Sequence, residues 1–153
     1  MRDLPVFFHT GLTVTDIDEA IQFFTEVMGL RLSSRRDLAG DYLSTMLGRQ
    51  SSLTAKIAML ETDVDTFLEL VEYQTPDGSL PGDRTSTEIT VSGAPHFAFF
   101  VKSLGEFDEI SNPRHLTPLA LADETIPGGP FAGGKIRFYQ SRFGCLIEVI
   151  QKP

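Results

Sequence analysis

One pattern occurs twice in this chain and limits the folds open to it. In each copy a histidine opens an apolar strand, and an acidic segment compatible with a helix follows; the copies span residues 7–21 and 96–107. Each copy is followed further along by an apolar strand with a single glutamate, Glu69 in the run FLELV and Glu148 in the run LIEVI. This repetition predicts two similar halves, and 153 residues suffice for one ordinary domain built from them.

Hydrophobic periodicity predicts the order βαβββ in each half. In the first half we predict strands at 6–14, 30–34, 54–60 and 66–73, a helix from N-cap Thr15 to Gly29, and a short helix at 42–47. In the second half we predict strands at 96–101, 119–121, 135–140 and 145–151, a helix at 104–110, and a glycine-rich turn at 127–134.

The fold expected from these elements is α+β, a single domain of two βαβββ modules. The modules cover residues 1–80 and 92–153, and a connector covers 81–91. The polar stretch 79–94 around this connector is either a linker or a loop that orders over a site, and both interpretations remain open.

Alternation along the strands predicts that the histidines and glutamates project from the sheet face opposite the helices. If Leu68 and Leu70 pack under a helix, Glu69 faces the other way, and the same holds for Glu148 between its apolar neighbours. In the first strand Phe8, Leu12 and Val14 are expected under the helix, which turns His9 away from it. His96 follows the same rule, so all four side chains are predicted on the face without helices.

A lone glutamate in an apolar strand is costly unless it is paired, hydrogen-bonded or bound to a metal. Two such glutamates and two strand histidines favour one divalent-metal site formed by His9, Glu69, His96 and Glu148. Imidazole and carboxylate ligands together suit zinc, nickel, cobalt, manganese or iron. The third histidine, His115, lies in a loop outside the pattern and is not expected to be a ligand.

Other reactive or charged groups are interpreted as structural. The single cysteine, Cys145, lies within an apolar strand and is expected to be a packed thiol rather than a nucleophile. It allows no internal disulfide, which favours a reducing, cytoplasmic location. Arg35 and Arg36 are expected at the solvated surface, with contact to an anionic small molecule as the alternative.

Charge and hydropathy exclude two classes of partner. A net charge of −8 gives no basic face for nucleic acid. No apolar run is long enough to span a bilayer, and the N-terminal residues lack the apolar core of a signal peptide, so no membrane partner is expected.

Four segments carry a resemblance to a known family: His9 to Leu30, Leu68-Glu69-Leu70, Pro95 to Phe99, and Gly129-Pro130 together with Gly144 to Val149. With them the chain resembles the vicinal oxygen chelate superfamily, which includes glyoxalase I, methylmalonyl-CoA epimerase, extradiol dioxygenases and bleomycin and fosfomycin resistance proteins. The resemblance implies modules whose sheets curl into a half-barrel cup around the metal. The cup closes within one chain or between two, and a homodimer is expected.

Among these branches the chain is most similar to glyoxalase I and the epimerase, which supply four protein ligands including a carboxylate where Glu69 falls. The resemblance therefore implies a metal-dependent lyase or isomerase that moves a proton next to a metal-bound carbonyl through an enediolate-like intermediate. Glu148, or less readily Glu69, would be the base. The substrate would be a thioester, a hemithioacetal or another oxygen-chelating compound.

Two departures and two alternatives accompany this hypothesis. The family's usual Asp-Pro-x-Gly turn is Ser-Arg-Phe-Gly at residues 141–144, and the second helix is short.

One alternative is an Fe(II) extradiol-type dioxygenase, for which Glu69 has no essential role. The other is a metal-free binder of a drug or small molecule with an aromatic groove. Five phenylalanines are candidates for that groove, although core packing is the preferred role for most of them: Phe7, Phe67, Phe100, Phe131 and Phe138.

Overall fold

The computed structural model describes residues 7–48, 52–77, 95–111, 113–120 and 122–153. The chain divides into two compact units, residues 1–82 and 83–153. The connector at 81–91, and with it the hypothesis of an ordering loop, lies outside the described residues.

The first unit contains one four-stranded sheet and two short helices. Its elements are β1 (His9–Thr13), α1 (Ile17–Gln22) continuing as a π-helical turn (Phe23–Val27), β2 (Arg31–Leu38), α2 (Asp41–Met46), β3 (Thr54–Glu61) and β4 (Phe67–Gln74). The strand order is β1-β4-β3-β2. β1 runs parallel to β4, and the other neighbours are antiparallel.

The second unit repeats this arrangement. Its elements are β5 (His96–Val101), α3 (Leu104–Ile110), β6 (Leu116–Pro118), β7 (Glu124–Thr125), β8 (Lys135–Ser141) and β9 (Leu146–Gln151). The strand order is β5-β9-β8-β6, with the short β7 also paired to β8. Again the first strand is parallel to the last, so the predicted α+β fold with its repeated βαβββ order is confirmed.

In each unit the helix covers one face of the sheet with an apolar stripe. α1 packs against β3 and β4 through Ile17 and Ala20, which are fully buried. In the second unit Leu104 and Phe107 of α3 are buried together with Ile147 and Val149 of β9. Burial of these side chains is the main favourable term for each unit.

The start of α1 corrects a local prediction. The N-cap is Asp16 rather than Thr15, because the Asp16 carboxylate accepts a hydrogen bond from the Glu19 amide at 2.9 Å. Gly29 has a φ of +76°, which confirms it as the left-handed residue that ends the helical segment.

Two other predictions were wrong. Phe8 is 58% exposed rather than packed under the helix, since it precedes β1, in which only Leu12 is buried. The strand predicted at 119–121 lies at Leu116–Pro118, where Leu116 is buried and anchors the pairing with β8; Leu119 is exposed, and residue 121 is outside the described part.

Two further predictions concern the thiol of Cys145 and membrane-spanning segments. Cys145 is buried, and burial raises the pKa of its thiol, as expected of a packed residue. Within the described ranges, no helix has both the length and the apolar character needed to cross a bilayer.

Candidate metal centre

The first unit brings His9 and Glu69 together on adjacent parallel strands. His9 lies opposite Phe67 and Gly11 lies opposite Glu69, so the histidine and the glutamate are two residues apart in register and share one face of the sheet. Their Nε2 and Oε2 atoms are 3.4 Å apart, and both side chains are half-buried.

The second unit repeats this pair with His96 and Glu148. Glu148 lies opposite Ala98, again two residues beyond the histidine on the neighbouring strand. The Nε2 to Oε2 distance is 3.3 Å, and Glu148 is the less exposed of the two side chains. The sequence-based parity argument is therefore correct for each pair.

A small residue beside each glutamate leaves room for its carboxylate. A Cβ atom added at Gly11 would lie 3.8 Å from Oε2 of Glu69, an ordinary contact distance. Ala98 already has a methyl group at the corresponding position. A larger side chain at either position would compete with the carboxylate for the space next to the histidine.

Each glutamate has a different neighbour on its antiparallel partner strand, and these neighbours were not identified from the sequence. Met59 lies opposite Glu69, whereas Phe138 lies opposite Glu148. The ring of Phe138 also meets His96 edge-on, with centroids 5.9 Å apart. His9 instead meets Phe8 edge-on at 4.9 Å. The two pairs are thus alike in their polar groups and different in their apolar surroundings.

The geometry of each His–Glu pair is compatible with two neighbouring ligands of one metal ion. A nitrogen-to-oxygen hydrogen bond usually spans about 2.7–3.2 Å. Two ligand atoms held in a tetrahedral site by bonds of about 2.0–2.2 Å lie about 3.4 Å apart. The observed separations of 3.4 and 3.3 Å agree with the second geometry. Neutral imidazole with carboxylate is also a ligand set that zinc, iron and their neighbours accept.

One feature of a mature metal site is not found at His9 within the part of the chain that the structure describes. A histidine ligand usually donates its other ring N–H to a partner. The buried Nδ1 atom of His9 has no hydrogen-bond partner there. Within each unit, no third His, Cys, Asp or Glu of the described part joins the pair. Each unit therefore holds two candidate ligands, and His115 stacks on Phe143 away from this pattern.

A buried ionic network lies on the opposite face of β4 and was missed by the sequence reasoning. Glu72, 5% exposed, accepts hydrogen bonds from Nζ of Lys56, Nε2 of Gln74 and the amide of Ile17. Burial raises the pKa of the Glu72 carboxyl, but the donors lower it more, so the net pKa lies below its ordinary value. The signal in the sequence was a glutamate with the same parity as the core residues Leu68 and Leu70.

A second network in the other unit attaches α3 to β8. Arg137 pairs with Asp108 of α3 and with Asp123, and the Tyr139 hydroxyl donates to Asp108 at 2.6 Å. Tyr139 is buried, and this burial together with the Asp108 carboxylate raises its pKa strongly. These groups lie on the helix-facing side of the sheet, so their role is structural.

The remaining candidates have surface or turn positions. Arg35 is exposed and pairs with Asp18, in agreement with a solvated surface role. Most of the five phenylalanines proposed for an aromatic groove were expected in the core, and this was wrong, because none of them is among the buried residues. Phe7 and Phe100 are exposed, and the others are half-buried. Phe7 precedes β1 and Phe131 lies in a turn, whereas the other three rings belong to strands.

Residues 6–149 match the family model of the Glyoxalase/Bleomycin resistance protein/Dioxygenase superfamily, so the chain belongs to this family. The resemblance deduced from the sequence motifs is thereby confirmed. A curated relative, the 2-epi-5-epi-valiolone epimerase of an Actinomyces species, is 34% identical over 147 residues. The alignment covers 95% of this chain and 78% of that relative.

Solved structures agree on the fold. A glyoxalase family protein from Bacillus cereus superposes with a TM-score of 0.79 at 22% identity, covering 99% of this chain and 96% of that one. The trypanothione-dependent glyoxalase I of Leishmania major superposes with a TM-score of 0.58 at 18% identity, covering 97% and 87% of the two chains. At these identities the likeness concerns the fold alone.

Proposed function

We propose that this protein is a metal-dependent isomerase that inverts a stereocentre next to a carbonyl group in a small, oxygen-rich substrate. The observation that carries the proposal is the repetition of one His–Glu pair, with the same register and nearly the same separation, in both units. The epimerase relative favours an isomerase over the lyase that the motifs also allowed. The name of its substrate, 2-epi-5-epi-valiolone, denotes a ketone with defined stereocentres and supplies the first compound to test.

The ligand set in this proposal is His9, Glu69, His96 and Glu148, two imidazoles and two carboxylates for one divalent cation. Two of these residues belong to each unit. When bound, such a cation supplies Lewis-acid stabilisation of negative charge on a substrate oxygen. Neutral Nε2 atoms and ionised carboxylates are the forms of these side chains that bind a metal.

The proton transfer itself is assigned to Glu148. Its carboxylate removes the proton from the carbon next to the carbonyl, which makes that carbon planar. A proton from water then adds to the opposite face, and Glu148 releases the proton it removed to the solvent, so the stereocentre is inverted with no net change of protons. Phe138 and Ala98 flank Glu148 and keep its surroundings apolar, which reduces competing contact with water. Glu69, with Gly11 and Met59 beside it, serves as a ligand.

Metal content and proton exchange test this proposal together. The purified protein is expected to contain about one divalent metal ion per chain by elemental analysis. Metal-loaded protein in D₂O, incubated with 2-epi-5-epi-valiolone, a methylglyoxal hemithioacetal or methylmalonyl-CoA, should replace the proton next to the carbonyl by deuterium in at least one of them. Proton NMR follows both the exchange and the change of configuration.

At saturating metal the variant Glu148→Gln should lose about a hundredfold or more of the exchange rate, since the amide is no base. Glu124→Gln, an exposed change on β7 of the same unit, is the matched control and should behave as wild type. Full exchange by Glu148→Gln would refute the assignment of the base. Oxygen consumption with a catechol, or tight ligand binding without metal, would instead support the dioxygenase or the binding protein.

A further inference from the structure

Both units connect the start of a helix to the strand that carries the candidate glutamate. In the first unit the amide of Ile17, the first residue of α1, donates to Oε2 of Glu72 at 2.9 Å. In the second unit the amide of Leu104, the first residue of α3, donates to Oε1 of Gln151 at 2.9 Å. These two contacts occupy the same positions in the repeat.

The spacings make the correspondence explicit. The donor follows the candidate histidine by eight residues in each unit (17 − 9 and 104 − 96), and the acceptor follows the candidate glutamate by three (72 − 69 and 151 − 148). An odd spacing on a strand places the acceptor on the face opposite the glutamate. Each contact therefore joins the chain leaving the histidine strand to the glutamate strand, from behind the candidate site.

The two contacts differ in strength. Glu72 is buried and ionised, and it also binds Nζ of Lys56 and Nε2 of Gln74, each at 2.8 Å. Gln151 offers a neutral amide oxygen. Hydrogen bonds to an ionised group are about twice as strong as neutral ones. The contact behind the strand carrying Glu69 is accordingly the stronger of the two.

The lysine is present in both units, but it has a carboxylate opposite it in only one. Lys56 lies opposite Glu72 on the neighbouring strand, and Lys135 lies opposite Gln151 in the same register. In the second unit Nζ of Lys135 is 3.7 Å from Asp123 instead. A carboxylate at position 151 would therefore have a cation across the strand, as Glu72 has.

We propose that Glu72 and Gln151 are positioning residues of the candidate metal centre with opposite effects. The charged contact of Glu72 keeps β4 and Glu69 fixed, as a permanent ligand requires. The neutral contact of Gln151 leaves β9 enough freedom for Glu148 to move between the metal and the substrate proton. This inference rests on the proposed function and adds the residues that set the two roles.

Exchanging the two contacts tests the inference. Glu72→Gln should weaken metal binding by about tenfold, because it loosens the strand that carries Glu69, and leave kcat at saturating metal unchanged. Gln151→Glu should lower kcat by about tenfold, with metal affinity unchanged or tighter. Metal affinity is read by competition with a chromogenic chelator, and kcat by deuterium exchange.

Glu61→Gln is the control, because it removes only the exposed pair with Arg31 in the first unit. If Glu72→Gln does not fold, Lys56→Gln replaces it, because that variant weakens the network and leaves the contact with Ile17 in place.

Parallel changes of metal affinity and kcat in both variants, or a change of thermal stability alone, would overturn the inference. Wild-type protein without metal binding or exchange would overturn the proposed function first, and the positioning roles with it.

Discussion

Glu72 shows how a single charged residue can be both buried and stabilising. It shares a strand face with Leu68 and Leu70, where an unpaired carboxylate would be strongly unfavourable. Three donors from a side-chain cation, a side-chain amide and a helix N-terminus compensate for its burial. Parity along β4 predicted Glu69 correctly, and the same parity marks Glu72 as a charge on the core side. Its partners could not be predicted, because they depend on the register of β3 and on the start of α1.

The lowered pKa of Glu72 makes part of the stability depend on pH. A carboxylate whose pKa is lower in the folded state stabilises that state above its ordinary value of 4.5, and this contribution is lost as the pH falls through the folded pKa. For metal-free protein we expect Glu72→Gln to lower the free energy of unfolding by about 2 kcal/mol at neutral pH. The difference from wild type should shrink below pH 4.5, as measured by urea unfolding. A difference that is independent of pH would contradict this.

Gly134 gives a second prediction at the scale of one residue. A Cβ atom there would lie 2.6 Å from the carbonyl oxygen of Gln151 and 3.0 Å from that of Phe131. Both are backbone atoms, so neither can move away cheaply. Gly134→Ala should therefore destabilise the protein by about 1–3 kcal/mol. Gly128→Ala is the matched control from the same turn region, since nothing lies within 4 Å of its added Cβ, and it should leave the melting temperature unchanged.

At the scale of elements, the sequence predicted best where one apolar face is buried. β5 and α3 have the predicted bounds, because apolar alternation and helical spacing are clear in both. β2 extends to Leu38, four residues beyond the prediction, through Arg35, Arg36 and Asp37. This edge strand is exposed along most of its length and is held by pairing with β3, which leaves no apolar pattern to detect. Pairing partners, unlike burial, are not visible in a local sequence.

The attachment of α3 to β8 predicts a change confined to one element. Arg137 is largely buried and pairs with Asp108 of the helix. Arg137→Met should remove this pair and leave Asp108 with the Tyr139 hydroxyl alone. We expect faster amide hydrogen exchange in α3, with exchange in α1 unchanged, because α1 is held by the separate Glu72 network. Equal acceleration in both helices, measured by mass spectrometry, would indicate a global loss of stability instead.

At the scale of the whole molecule, the repeat gives each unit only two candidate ligands, fewer than the three or four protein ligands that a zinc site usually has. If metal binding needs both pairs, it should stabilise the wild-type chain, and losing a histidine from either unit should abolish the effect. Metal at a hundred times its dissociation constant should add about 2.7 kcal/mol to the free energy of unfolding of wild-type protein. His9→Ala and His96→Ala should each show no metal-dependent rise in melting temperature, whereas His115→Ala, the control from outside the pattern, should keep it. If one of the two histidine variants kept the full rise, the other pair alone would hold the metal. The duplicated His–Glu pattern would then have separate roles in its two copies.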